Sequence, residues 1–344
     1  MKSTADRVNY LNVGLMIVSC LVAYAVPFEL FLFSYAVLGP LHYLTEISWL
    51  HDRSYFIKPV QAGRRVSIAW YWLALVGVTL AVMLYGLLAE KMLMLKVSPM
   101  WEIGLVYLVF MTAALFVFVK NKAAATAGVI VTALFLVLFS GSPYFGLIAL
   151  FLVTIVHVFV FTAAFILFGA LKSRSLSGIL SLLVFALCAA SFFVVAPDAL
   201  GPAAGGFVRS NYGSFQALNG ALIKFFHLGP GTSLSEIYES SAGLMVMRLI
   251  AFAYTYHYLN WFSKTSIIKW HEVPKGRTVL ILALWVCSLA LYARSYELGF
   301  IALYFLSVLH VMLEFPLNHQ SFAGIGKELY AMVRPMRAFV TAKS

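Results

Sequence analysis

Long apolar stretches recur through the sequence, and each is long enough to leave water altogether. They lie at roughly 8–26, 28–50, 66–88, 99–119, 124–141, 144–171, 176–196, 236–263, 278–295 and 298–317. A helix needs about 20 residues to cross the hydrocarbon of a bilayer. Inside lipid every backbone N–H and C=O must be bonded within the protein, which leaves helices or a closed barrel. These stretches are continuous rather than alternating, so helices are expected. Of 344 residues, 11% are charged and 62% hydrophobic, whereas a soluble domain carries about 25% charged residues. A chain so poor in charge cannot cover a water-facing surface. The expected fold is an all-α polytopic membrane bundle of about ten transmembrane helices.

Cations concentrate in alternate connections. Arg53, Lys58, Arg64 and Arg65 follow the second stretch, Lys120 and Lys122 the fourth, and Lys172 and Arg174 the sixth. Lys264, Lys269, Lys275 and Arg277 follow the eighth, and Lys327, Arg334, Arg337 and Lys343 the tenth. Positive charge marks the cytoplasmic side, so even-numbered helices end there and both termini are cytoplasmic. The net charge of +11 then sets topology and meets anionic headgroups, and no nucleic-acid surface is left over. The expected location is the inner, cytoplasmic membrane of a bacterial cell. Residues 1–320 read as a single bundle with an external insert at 197–235. Residues 321–344, with "FAGIGKELYAMVRPMRAF", read as an amphipathic cytoplasmic tail. Lys2, Arg7 and "AYA" at 23–25 have the look of a signal peptide. The next stretch follows at once, however, so a retained first helix is expected.

Inside the insert, "SFQALNGALIKFFHL" reads as an interfacial helix. Ser233 and Glu236 have capping-box spacing and are expected to start the eighth helix. Cys20, Cys188 and Cys287 sit within apolar stretches without a CxxC pattern and read as small buried hydrophobes.

Four histidines stand out. His42, His157, His257 and His310 lie on the second, sixth, eighth and tenth helices. All four helices run the same way, and each histidine lies about midway to two-thirds along its helix at about 1.5 Å of rise per residue. The four imidazoles are therefore expected at similar depth. His42 and His310 each have a glutamate one turn on, Glu46 and Glu314, and i, i+4 spacing puts both groups on one helix face. An ionised carboxylate at that depth must be paired, protonated or coordinated. Neutral imidazole is the commonest metal ligand, and a carboxylate on its second nitrogen is a usual partner. Four His and two Glu suit iron, zinc, manganese or copper. A lone intramembrane histidine would more simply bond a neighbouring helix; four at one depth point to a metal or cofactor site.

Both motifs continue to a further histidine, His51 and His319, at H-x3-E-x4-H spacing. Nine residues is half a turn out of phase, so these two face elsewhere unless the helix has ended. Pro316 is expected to end or kink the second copy. His51, His319 and Asn260 are candidates to orient a ligand rather than to bind metal. Arg248 is expected to reach outward along its helix, Glu29 to sit at the external interface, and "KWHEV" with His271 to be a solvated loop.

"GPLHYLTE" resembles the G-x-P-H-G-x-x-D signature of the Brp/Blh family, membrane-integral iron enzymes that cleave β-carotene to retinal. Gly39, His42 and Glu46 match its Gly, His and acidic positions. "YTYHYLNW" around His257 is similar to that family's Y-F-x-x-W-H-S-x-x-H segment. Tyr43 replaces the glycine after the first histidine, Pro40 is shifted, and Trp261 stands where the last histidine would fall. The resemblance implies a four-histidine iron centre acting on an apolar polyene or isoprenoid, a dioxygenase in class.

The residues and the resemblance together predict a membrane non-haem iron oxidoreductase. His42, His157, His257 and His310 would bind Fe2+, and Glu46 and Glu314 would complete the ligand set or act in catalysis. Its partners would be O2 and an apolar or lipid substrate drawn from the bilayer. A zinc centre would instead activate water for lipid hydrolysis. A proton- or ion-coupled transporter and a bis-histidine haem protein are the other readings.

Overall fold

The structure is a computed structural model. It describes residues 4–52, 65–94, 100–142, 144–195, 204–264, 269 and 272–341. The cations Arg53, Lys58 and Arg64, the start of the insert at Pro197, and His271 lie outside the described residues.

Among the described residues there are helices and no strand. In chain order they are α1 (Thr4–Ala25), α2 (Pro27–Phe33), α3 (Gly39–Asp52), α4 (Arg65–Leu93), α5 (Met100–Phe118) and α6 (Lys122–Phe139). Then come α7 (Tyr144–Phe151), α8 (Thr162–Ser173), α9 (Leu176–Val194), α10 (Gly206–Asn211), α11 (Gln216–Phe225) and α12 (Leu234–Glu239). The series ends with α13 (Ser241–Ser263), α14 (Lys275–Arg294) and α15 (Tyr296–Thr341). Two π-helical segments, Ser34–Leu38 and Leu152–Phe161, join α2 to α3 and α7 to α8.

Among the described residues nine helical stretches are long and apolar enough to cross a membrane. Large hydrophobics such as Leu134, Val137 and Leu138 lie bare on their outer faces. Apolar surface on that scale belongs against hydrocarbon, and the chain is an integral membrane protein. Cys287 shares this outer surface instead of being buried. The eighth expected span is α13. It has the length, 23 residues, but Arg248, His257, Asn260 and three tyrosines keep it out of that apolar set. It makes up for this by burial, since nearly every residue from Gly243 to Asn260 is covered by protein.

The chain divides into two compact units. The first comprises Met1–Gly39, Ile155–Lys275 and Ser321–Ser344. Here α13 is the axis, packed by α1, α2, α9, α11 and α12. Lipid tails are as apolar as leucine, so burial alone does not drive helices together, and polar contacts and close packing must. Tyr256 donates to Asn12 Oδ1 at 3.1 Å and Ser34 shares a buried hydrogen bond of 2.7 Å with Thr255. Asn9 donates to Ser177 Oγ at 2.9 Å, and that hydroxyl donates to Asp6 at 2.6 Å, tying α1 to α9. Phe31 is met edge-on by Tyr212, Phe215 and Tyr254, the geometry the ring quadrupole favours.

Several sequence expectations are corrected here. Ser233 accepts from Glu236 N as expected, but that cap opens the six-residue α12. The spanning helix starts later, where Ser240 accepts from Gly243 N at 2.9 Å. Gly243 is required there, because a Cβ would collide with the carbonyls of Glu236 and Ile237. The expected interfacial helix, α11, packs its Leu218, Leu222 and Ile223 face on α13. Arg248 points to Tyr24, in the last turn of α1. It is buried, with its guanidinium 4.7 Å from the Tyr24 ring.

The second unit comprises Pro40–Thr154 and Gly276–Gln320. Helix α5 packs on α4, α6 and α7. Trp72 donates to the Val109 carbonyl at 3.2 Å, and Tyr107 to the Phe145 carbonyl at 2.8 Å. Asn121 caps α6 by accepting from Ala123 N at 2.9 Å. Arg277 bonds Asp52 at 2.5 Å and Ser48 at 3.3 Å, fixing the end of α3. Helix α15 does not end at Pro316 but runs unbroken from Tyr296 to Thr341, 46 residues in all. The proline removes one N–H, and membrane helices tolerate this where neighbours re-satisfy the freed carbonyl.

Candidate metal centre

Two helix irregularities prepare the site. Gly39 N bonds Ser34 O, a five-residue step that defines the first π segment. Pro40 follows at once and has no N–H to continue the ordinary ladder. The wider turn therefore falls just before His42. His157 lies inside the second π segment, Leu152–Phe161. Such bulges turn side chains out of the regular 3.6-residue register and recur at functional sites.

In the first unit, His157 and His257 meet with ring centroids 4.8 Å apart at 66°. Thr162 Oγ1 lies 2.8 Å from Nδ1 of His257. When Nδ1 donates to that hydroxyl, Nε2 carries the lone pair and faces the remaining space. In the second unit, His42 and His310 meet at 5.3 Å and 82°. Tyr43 stacks on His310 at 4.2 Å, which holds that ring edge-on to His42. Glu46 Oε2 lies 3.0 Å from Nε2 of His42. That distance suits an ion pair, although the ring N–H is not aligned for a hydrogen bond.

His42, His157, His257 and His310 constitute one buried group. Each offers one ligand atom, and these atoms lie within 4.8 Å of one another. Their exposures are 1, 1, 6 and 2%, with Glu46 at 1% and Glu314 at 3%. The donor set fits a divalent metal. Metal–imidazole bonds run about 2.0–2.1 Å, so nitrogens on one ion lie no more than about 4.2 Å apart and the group would draw together on binding. It contains no thiolate, which directs it towards iron, zinc, copper or manganese with nitrogen and oxygen ligands. Taking four imidazoles and two carboxylates out of water without an ion to serve would be costly.

His51 and His319 lie elsewhere. The His51 side chain is 66% exposed and pairs with Asp52 at 3.2 Å. His319 Nε2 donates to the Phe110 carbonyl at 2.9 Å, which ties α15 to α5. Neither belongs to the four-histidine group. Asn260 is buried on α13 one turn past His257. Glu314 is buried one turn past His310 on α15. Sequence reasoning missed Thr162, the stacking role of Tyr43, both π segments and the buried Asn318. Pro40 could have signalled the first π segment. Nothing in the local sequence marks Thr162, whose partner is 95 residues away.

Comparison with protein-family models, with curated proteins and with solved structures gives no match.

Proposed function

We propose that this protein is a membrane-embedded metalloenzyme that uses iron and O2 to oxidise an apolar substrate taken from the bilayer. The observation that carries the reading is the buried group of four imidazoles with ligand atoms within 4.8 Å. A set of neutral ligands leaves a bound iron its positive charge and redox chemistry. Iron with O2 supplies the oxidising power that an unactivated hydrocarbon requires. Glu46 lies against Nε2 of His42 and Thr162 against Nδ1 of His257, so two of the four rings have a protein group beside one nitrogen that can orient them. Glu314, buried one turn past His310 on α15, is a candidate to exchange protons with substrate.

The substrate class follows from location. The site lies among spanning helices whose outer surface is apolar, so a lipid, isoprenoid or carotenoid reaches it without entering water. The resemblance of "GPLHYLTE" to the Brp/Blh signature supports a polyene.

Elemental analysis of the purified protein, read with its absorption spectrum, tests the proposal. Stoichiometric iron without a haem band is the expected result. A haem band, zinc in place of iron, or a metal-free protein that retains its activity would each replace it.

A further inference from the structure

One buried polar residue is not accounted for by the metal centre. Asn318 is 1% exposed, and neither its amide nitrogen nor its carbonyl oxygen makes a hydrogen bond within the protein. An amide carries two donors and an acceptor, and burying it without partners is strongly unfavourable. It persists where water or another polar group meets it.

The position on α15 says what it serves. His310, Glu314 and Asn318 follow one another at four-residue steps, so they climb one side of the helix. All three are buried, and the climb from His310 to Asn318 is about 12 Å. The stretch therefore offers a carboxylate and, one turn on, an amide without a protein partner. One turn beyond Asn318, Ser321 is again buried and polar, and by Lys327 the helix is exposed. Hydrocarbon excludes hydrated ions and protons, so a centre at the depth of His310 needs a polar route to water.

We propose that Glu314 and Asn318 line a hydrated conduit along α15, through which water, protons and the incoming metal ion reach His310. The proposal extends the metalloenzyme reading in its loading step, but the hydration itself stands independently of which metal is used.

The test places a thiol at the amide. A thiol reacts with a methanethiosulfonate reagent as the thiolate, which forms only in contact with water. Asn318→Cys and Met312→Cys are treated with the small cationic ethylammonium reagent in the detergent-solubilised full chain. Modification is read site by site by peptide mass, with buried Cys20 as internal reference. Modification of Asn318→Cys at least ~10-fold faster than of Met312→Cys and Cys20 is expected; equal rates overturn the conduit. In parallel, Asn318→Leu is loaded with cobalt(II). Loading slowed at least ~10-fold to an unchanged final stoichiometry is expected. A more heat-stable Asn318→Leu that loads at the parental rate would make the amide a mere unsatisfied group and end the proposal. A chain that binds no cobalt overturns the metalloenzyme reading, and the labelling rates then decide the conduit alone.

Discussion

Thr162 Oγ1 stands 2.8 Å from Nδ1 of His257, a contact made across 95 residues of sequence inside the first unit. Thr162 is the first residue of α8, directly after the π segment that carries His157. One irregular stretch therefore supplies both a candidate ligand and the group that orients its neighbour. Removing the hydroxyl while keeping the shape isolates that effect. Thr162→Val is expected to weaken metal binding about 10–100-fold, the usual effect of losing an outer partner, with Thr162→Ser close to the parent. Competition with a chromophoric chelator measures both, and equal affinity for Val and Ser would show that the hydroxyl does not orient the ring.

The four buried histidines should separate cleanly from the others. His157→Ala and His310→Ala are each expected to lose most of the bound metal. His227→Ala, at an exposed position, and His51→Ala should keep the full amount. Elemental analysis of the four purified variants decides this, and similar metal contents throughout would remove the assignment.

His319 gives a different contrast. Its bond to the Phe110 carbonyl is structural, so His319→Leu is expected to leave metal content unchanged while lowering stability by about 1–3 kcal/mol through the unsatisfied buried carbonyl. A thermal unfolding scan beside the metal assay reads the two effects separately. Loss of metal without loss of stability would move His319 into the site.

The bundle was legible because bilayer length, charge asymmetry and continuous apolar runs each leave one reading. The four histidines were legible for a related reason: spans whose direction is read from loop charge convert sequence position into an expected depth. What depends on departures from regular helix was not legible. Two π segments alter the register around His42 and His157, and period counting assumes 3.6 residues per turn. Pro316 was expected to end or kink the tenth helix, and α15 runs on past it, because sequence shows the lost N–H but not the neighbours that support the helix on either side of it. Thr162 and Tyr43 act on rings carried by other helices, and spacing within one helix cannot reveal such partners.

Close packing at Gly243 predicts the largest effect away from the centre. A Cβ there meets the carbonyls of Glu236 and Ile237, which are backbone and cannot swing aside. Gly243→Ala is expected to destabilise the protein by about 1–3 kcal/mol, seen as a lower melting temperature in detergent. The exposed pair of Arg277 and Asp52 sets the opposite scale, since both side chains are about a third exposed. Arg277→Ala should change stability by no more than about 1 kcal/mol and less in high salt. An equal drop for both variants would contradict the packing argument.

Helix α13 has a consequence for biogenesis. It carries an arginine, a histidine and an asparagine in a segment that offers almost nothing to lipid, so a nascent chain gains little by releasing it sideways into the membrane alone. Residues 1–195 are synthesised first and supply α1, α2 and α9 as a waiting sleeve. Helix α13, which bears His257, therefore joins that unit after α1, α2 and α9, so its part of the site is finished by an act of assembly, after those helices have been inserted.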